Sequence, residues 1–283
     1  IPVNNEIVDS EFDDDDKLSE NDLSDNSFSF DDFRSNDKEE TKNTEENKPT
    51  SKENEDEGDV VPNNVYNGKT YYVSSSMGND ANDGLSQEKP LKTIDKVNSL
   101  NLAAGDNVLF KCGDLWRQTE LQGKPNVRYA SYGEGEKPTF YGSEMNYANP
   151  EKRTSTQYPN GYAVSGIVSN IGGLVFNDGE CVPNFVNTDS ASSLTLNGQF
   201  CFDKSLGKCC VYSDKGNPAS LYSSIEVINE KRMIYVVTGD TVENIRIKYA
   251  AYGVQCWGGN DIVVRNMDIS YIGGRSNSSG IRA

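Results

Sequence analysis

The sequence predicts an all-β fold: a parallel β-helix, closed at its N-terminal end by a short capping helix and preceded by a disordered acidic tail. Three observations lead there. Short strands of alternating character crowd the last sixty residues, with no helical stretch between them. Gly253-Val254-Gln255 recurs as Gly280-Ile281-Arg282, an offset of 27 residues that suits one coil of a β-solenoid. The charge is also uneven. Ile1–Val60 holds 22 acidic and 6 basic residues, leaving 22 and 21 for the remainder, so nearly all of the net charge of −17 belongs to the tail.

Residues 1–64 are poor in large apolar side chains and rich in Asp, Glu, Asn, Ser and Lys. Such a segment cannot bury enough apolar surface to offset the entropy of ordering, so it reads as disordered. Its acidity repels phosphates and argues against a nucleic-acid partner. The β-helix domain is expected over 65–283. Within it, Tyr71-Tyr72-Val73 is a strand signal, and Gly78–Gly84 (GNDANDG) is turn chemistry. In a calcium-loop register the ligand slots would be Asn79, Ala81 and Asp83; alanine breaks the pattern, leaving calcium as a minority reading. Leu91, Ile94, Val97 and Leu100 then form an apolar stripe on a short helix, with Pro90 in its first turn.

Strand signals continue at Gly105–Arg117, where Val108 and Phe110 share one face, and twice more within Val127–Gly142. The middle, Asn146–Ser220, offers strand-like pieces (GLVF, GQFCFD, KCCVYS) and no helical period. The final stretches are SSIEVI, RMIYVV, ENIRIKY, GVQCW, NDIVVRNMDIS and SGIRA, with Ile245/Ile247 aligned on Ile262/Val264. The end of a β-helix exposes apolar interior and unpaired strand edges, so the early strand, loop and helix are expected to plug it.

The chain has no histidine, which excludes Ser-His-Asp and Cys-His catalysis and histidine-ligated metals. Its six cysteines fit no zinc spacing. They read as buried thiols, with a disulfide among Cys181, Cys201 and Cys209 or Cys210 as the alternative in an exported protein. No membrane span or signal peptide is apparent.

Tyr71–Arg117, together with YGEGEKPTFYGS and NPASLYSSIEVI, resembles the N-terminal part of secreted right-handed parallel β-helix proteins of the pectin-lyase-like group. The resemblance covers roughly 65–283. It implies a secreted or cell-surface monomer with a polysaccharide substrate or ligand bound along one face. Ala283 falls within a coil, so the sequence reads as a fragment. Stacking SIEV, GVQC and GIRA on one sheet aligns Glu226, Gln255 and Arg282 outward. Arg282 would pair with a uronate carboxylate. Glu226, Arg282 and Asp268 are the candidate catalytic residues, with Asp240 a second possible partner for Glu226; Gln255 and Trp257 are the candidate substrate contacts. Such charges also occur on any exposed solenoid face. The expected function is cleavage of acidic polysaccharide, by a lyase (with calcium as an alternative cofactor) or by a hydrolase. A non-catalytic, adhesin-like glycan-binding solenoid is the alternative. The catalytic histidine of the group's polygalacturonases has no counterpart here.

Overall fold

The computed structural model describes residues 65–164, 166–167, 171–274 and 278–282. The acidic tail expected over 1–64 lies outside them. The described chain is mostly β with few helices. It begins with β1 (Thr70–Val73), α1 (Ile94–Asn98), β2 (Asn107–Lys111), β3 (Leu115–Arg117), β4 (Leu121–Gln122), β5 (Arg128–Tyr132) and β6 (Thr139–Tyr141). Then follow β7 (Arg153–Ser155), β8 (Gly161–Val164), β9 (Gly173–Phe176), β10 (Asn184–Phe185), β11 (Gln199–Asp203), β12 (Lys208–Tyr212) and α2 (Pro218–Leu221). The last strands are β13 (Ile225–Tyr235), β14 (Thr241–Glu243), β15 (Arg246–Gln255), β16 (Val263–Arg265), β17 (Asp268–Ile272) and β18 (Ser279–Arg282).

Two sheets are parallel. The first runs β1-β2-β5-β14-β16. The second joins β3, β6, β15, β13 and β4, with β17 and β18 also beside β15. The chain alternates between them, visiting the first at β2, β5, β14 and β16 and the second after each visit. Strand β15 serves two rows. Its first half pairs with β6 and β17 and its second with β13 and β18, the two halves meeting at Tyr249, whose φ is +59°. Side chains from both sheets and from α1 fill one core, which includes Val73, Phe110, Phe140, Leu121, Ile234, Val242 and Val254.

Helix α1 is shorter than the stripe suggested. It starts at Ile94, and Thr93 rather than Pro90 sets its N-terminus, accepting from the Lys96 N–H. Ile94 and Val97 enter the core as expected, but Leu91 reaches it from a β-bridge to Val73. The GNDANDG loop turns its oxygens onto backbone donors. Asp80 accepts from the Lys92 and Thr93 N–H groups at 2.8 and 3.0 Å, while Asn79 and Asp83 accept from Ala81 and Leu85 at 2.9 and 3.1 Å.

Between β6 and β13 the chain makes a long excursion. Its sheet, β10-β11-β12-β8-β7, is antiparallel except for β10–β11, and carries its own core around Phe176, Phe200, Cys209 and Val211. The predicted register also changes. The Ile245/Ile247 alignment on Ile262/Val264 is replaced by pairs 22 residues apart, Val242 with Val264 and Ile247 with Ile269. The 27-residue offset holds between Val254 and Ile281. Gly253 and Gly280 stack there so closely that a Cβ on Gly253 would lie 2.3 Å from the Gly280 carbonyl oxygen.

One buried acid gives the fold a pH signature. Asp240 is inaccessible and accepts from the Val237 and Val127 N–H groups at 3.0 and 3.1 Å. Burial outweighs those bonds and pushes its carboxyl up to about 7. The stability this contributes is complete below the unfolded value near 3.8 and is lost as pH rises through about 7. Asp240→Asn removes the titration. The stability of wild type minus that of the variant should therefore fall from pH 4 to pH 7, by at most about 1.4 kcal/mol per pH unit. Urea unfolding across that range measures it, and a pH-independent gap would show that Asp240 ionises as an ordinary carboxyl.

Candidate functional site

An open polar cleft of about 530 Å³ lies where α1, the β3–β4 link, β13 and β15 meet. Asp95 and Asn98 reach it from α1, Glu120 from the link, Glu230 and Arg232 from β13, and Tyr252 from β15. The size suits a small ligand. Local bonds fix its walls. Asn98 donates to the Glu120 carbonyl at 2.8 Å and accepts from the Gln122 N–H at 2.9 Å, tying α1 to the link.

Arg232 organises the cleft. Its Nε and Nη2 donate to the two Glu120 carboxylate oxygens at 2.7 and 2.9 Å, a bidentate pair. Its Nη1 donates to Gln255 Oε1 at 3.1 Å, and its guanidinium lies 4.4 Å from the Tyr235 ring centre. The hydrogen bonds that Arg232 donates to Glu120 push its pKa further up, so the charge is permanent. Beyond it, Tyr235, Gln255 and Arg282 occupy one register row across β13, β15 and β18. Arg282 sits over the exposed Trp257 ring at 5.2 Å. Arg232 thus joins the cleft, with Asp95, Glu120 and Glu230, to the buried Gln255 amide, whose register row ends in Arg282 beside the exposed Trp257. Polyhydroxylated rings are recognised by such mixtures, polar groups taking hydroxyls and aromatic faces taking the apolar side of the ring.

The sequence-predicted residues divide here. Gln255, Arg282 and Trp257 come together. Glu226 does not join them, because Tyr235 takes its place in the row. The half of β13 that holds Glu226 pairs antiparallel with β9, opposite Val175. Glu226 is buried and receives both terminal nitrogens of Arg117 at 2.9 Å each. Asp268 is also elsewhere, on β17, held by Lys137 at 2.7 Å and Arg246 at 3.2 Å. The Lys137 bond leads in holding its carboxyl below the usual range. Strand β17 lies three strands from the Arg117 strand, roughly 14 Å. Asp240, the other acid considered beside Glu226, is sealed under backbone donors. Glu226, Asp268 and Asp240 are thus each held by different partners, Arg117, Lys137 with Arg246, and the Val127 and Val237 N–H groups.

Lys248 is engaged as well. It binds both oxygens of Asp178 at 2.8 and 2.7 Å, and Tyr249 donates to the same carboxylate at 2.7 Å, latching the excursion onto the second sheet. Glu120, Arg232, Asp95, Glu230 and Tyr252 were not singled out by sequence reasoning. The RMIYVV strand signal contained Arg232, but nothing local to it points to Glu120, which is 112 residues away. Among the described residues, no group of three or more His, Cys, Asp or Glu converges as a metal site, and no helix is long and apolar enough to cross a membrane.

No family model matches the chain. A stretch of 56 residues, 19% of the chain, is 45% identical to a lacto-N-biosidase of Bifidobacterium longum subsp. longum, of which it covers 4%. A solved lacto-N-biosidase from Eubacterium ramulus is similar over 75% of this chain and 29% of its own, at 20% identity and a TM-score of 0.40. XylC in complex with xylose is similar over 67% and 40% of the two chains, at 15% identity and a TM-score of 0.46. A rhamnogalacturonan lyase is similar over 70% and 43%, at 14% identity and a TM-score of 0.29. The chain spans less than a third of the lacto-N-biosidases that it matches.

Proposed function

We propose that the chain is part of a secreted or cell-surface carbohydrate-active enzyme, a glycoside hydrolase rather than a lyase, and that the Arg232 cleft holds a sugar. The observation that carries this reading is the connection from Glu120 through Arg232 and the buried Gln255 amide to the row that ends in Arg282 beside Trp257, joined to a cleft that also presents Asp95 and Glu230. The 45% local identity to a lacto-N-biosidase supports hydrolysis over elimination. Hydrolysis calls for two carboxyl groups beside the glycosidic bond, and the cleft presents Asp95 and Glu230 beside the Arg232-paired Glu120. The scaffold in this reading is the start of a right-handed parallel β-helix. Parallel pairing everywhere in the two sheets except at β9, alternation between them and offsets of 22 and 27 residues are what successive coils interrupted by one excursion would produce.

Calorimetric titration of the full chain with lacto-N-biose and with an oligogalacturonide tests it. Binding of the neutral disaccharide, weakened at least tenfold in Arg232→Met with unchanged near-ultraviolet circular dichroism, is the expected result. Binding of the uronide alone would redirect the reading to acidic polysaccharide. Binding of neither sugar would overturn the assignment of the cleft.

A further inference from the structure

We propose that Cys201 and Cys210 are a disulfide-forming pair, oxidised to a cross-strand bridge when the chain folds in the presence of a disulfide oxidant. The structure holds them as free thiols directly opposite one another in the antiparallel β11–β12 ladder. Both are fully buried, and both pack in one small cluster with Ala163, Ala191 and Leu194. Directly opposed residues in such a ladder have Cα atoms about 4.5–5.5 Å apart. A disulfide spans about 4.4–6.8 Å, so the bridge needs no shift of backbone.

The pleat selects this pair over its neighbours. Cys209 adjoins Cys210 in sequence but points to the opposite face of the strand, where it packs with Phe176 and Phe200 beside the buried Arg153. Cys181 lies against that same second cluster, and Cys256 against the core between the parallel sheets. Burial pushes the Cys201 thiol up to about 11 and the Cys210 thiol up to about 12. Thiolate is the attacking species, so exchange is slow once the cluster has closed, and the bridge forms during folding. One thiolate attacks the external disulfide and releases one thiol, leaving a mixed disulfide. The second thiolate displaces the other thiol. Two protein thiols are oxidised and one external disulfide is reduced to two thiols. The inference is independent of the sugar reading.

The test is refolding of the full chain in a glutathione redox buffer, followed by alkylation under denaturant and non-reducing peptide mapping. Trypsin can cut at Lys204 and Lys208, which leaves Cys181 with Cys201 in one peptide and Cys209 with Cys210 in the other, so tandem mass spectrometry of the linked pair must find Cys181 and Cys209 as the alkylated members. The expected product is two hydrogen atoms lighter than the reduced chain, with the Cys201 and Cys210 peptides linked and four thiols alkylated. Reduction should lower its melting temperature by about 5 °C or more. Six alkylated thiols, or a bridge between any other two cysteines, would overturn the proposal. Cys201→Ser refolded in parallel should show five alkylated thiols; a bridge that persists in it would count against the pairing equally.

Discussion

Replacing Arg117 by Met is expected to lower stability by about 3–5 kcal/mol, the cost of leaving a buried carboxylate without its counter-charge. Glu226 keeps only 5% of its side-chain surface in water, whereas Arg117 keeps 24%. The two partners are therefore unequal. Loss of Glu226 leaves a guanidinium that still donates to the Ser143 carbonyl at 3.0 Å, lies 4.8 Å from the Tyr141 ring centre and reaches solvent. Loss of Arg117 removes both hydrogen bonds to a carboxylate that has little access to water. Glu226→Gln should consequently be milder than Arg117→Met. The double variant Arg117→Met/Glu226→Gln should recover part of the Arg117→Met deficit, because the uncompensated charge is gone. Urea unfolding of the three variants measures the cycle. Strict additivity would mean that the ion pair carries no coupling and that Arg117 acts only through packing.

A loss of about 3–5 kcal/mol is also expected for Phe140→Ala. Phe140 is inaccessible, and its ring meets Phe110 edge-on at 5.1 Å and Trp116 at 5.6 Å, while those two meet each other at 5.3 Å. Truncation opens a cavity in the middle of three rings. They come from β2, β3 and β6, so the loss is felt in both parallel sheets at once. The melting temperature should fall by roughly 10 °C, and Trp116 emission should shift to the red as water gains access. Phe140→Leu, which keeps most of the volume, should lose less than half as much. Equal losses for Ala and Leu would show that the aromatic contacts, rather than the filled volume, carry the stability.

Alternation made the early strands legible. Val108 and Phe110 are buried while Leu109 and Lys111 are partly exposed, as the period of two required. The offset that joins Val254 to Ile281 was readable because glycine marks it in both copies. The neighbouring 22-residue offset was harder, since alternating apolar residues fit many registers equally well. Its marker is the asparagine in Val242–Ile247 and Val264–Ile269. Asn244 and Asn266 have φ of +60° and +51°, and Asn266 donates to Asn244 Oδ1 at 2.8 Å, so the two turns stack. Glu226 was misplaced because SSIEVI looks like any other strand of the repeat. Nothing in its own residues says that β13 changes partner within its length, pairing first with β9 and then with β15. The Glu120–Arg232 pair rests on long-range stacking of β4 against β13, which no local pattern encodes.

The excursion leaves the second sheet just after β6 and returns within β13, where the Asn229 amide donates to the Gly142 carbonyl at 3.3 Å. Its two ends thus lie side by side, and the Val227 N–H donates to Ser143 Oγ at 3.0 Å beside that bond. A segment grafted in this manner adds little loop-closure entropy to its host, whatever its length. Beyond that doorway the two parts are bound by Glu226 to Arg117 and by Asp178 to Lys248 and Tyr249, so any module exchanged there would have to supply a counter-charge for Arg117 and an acceptor for Lys248.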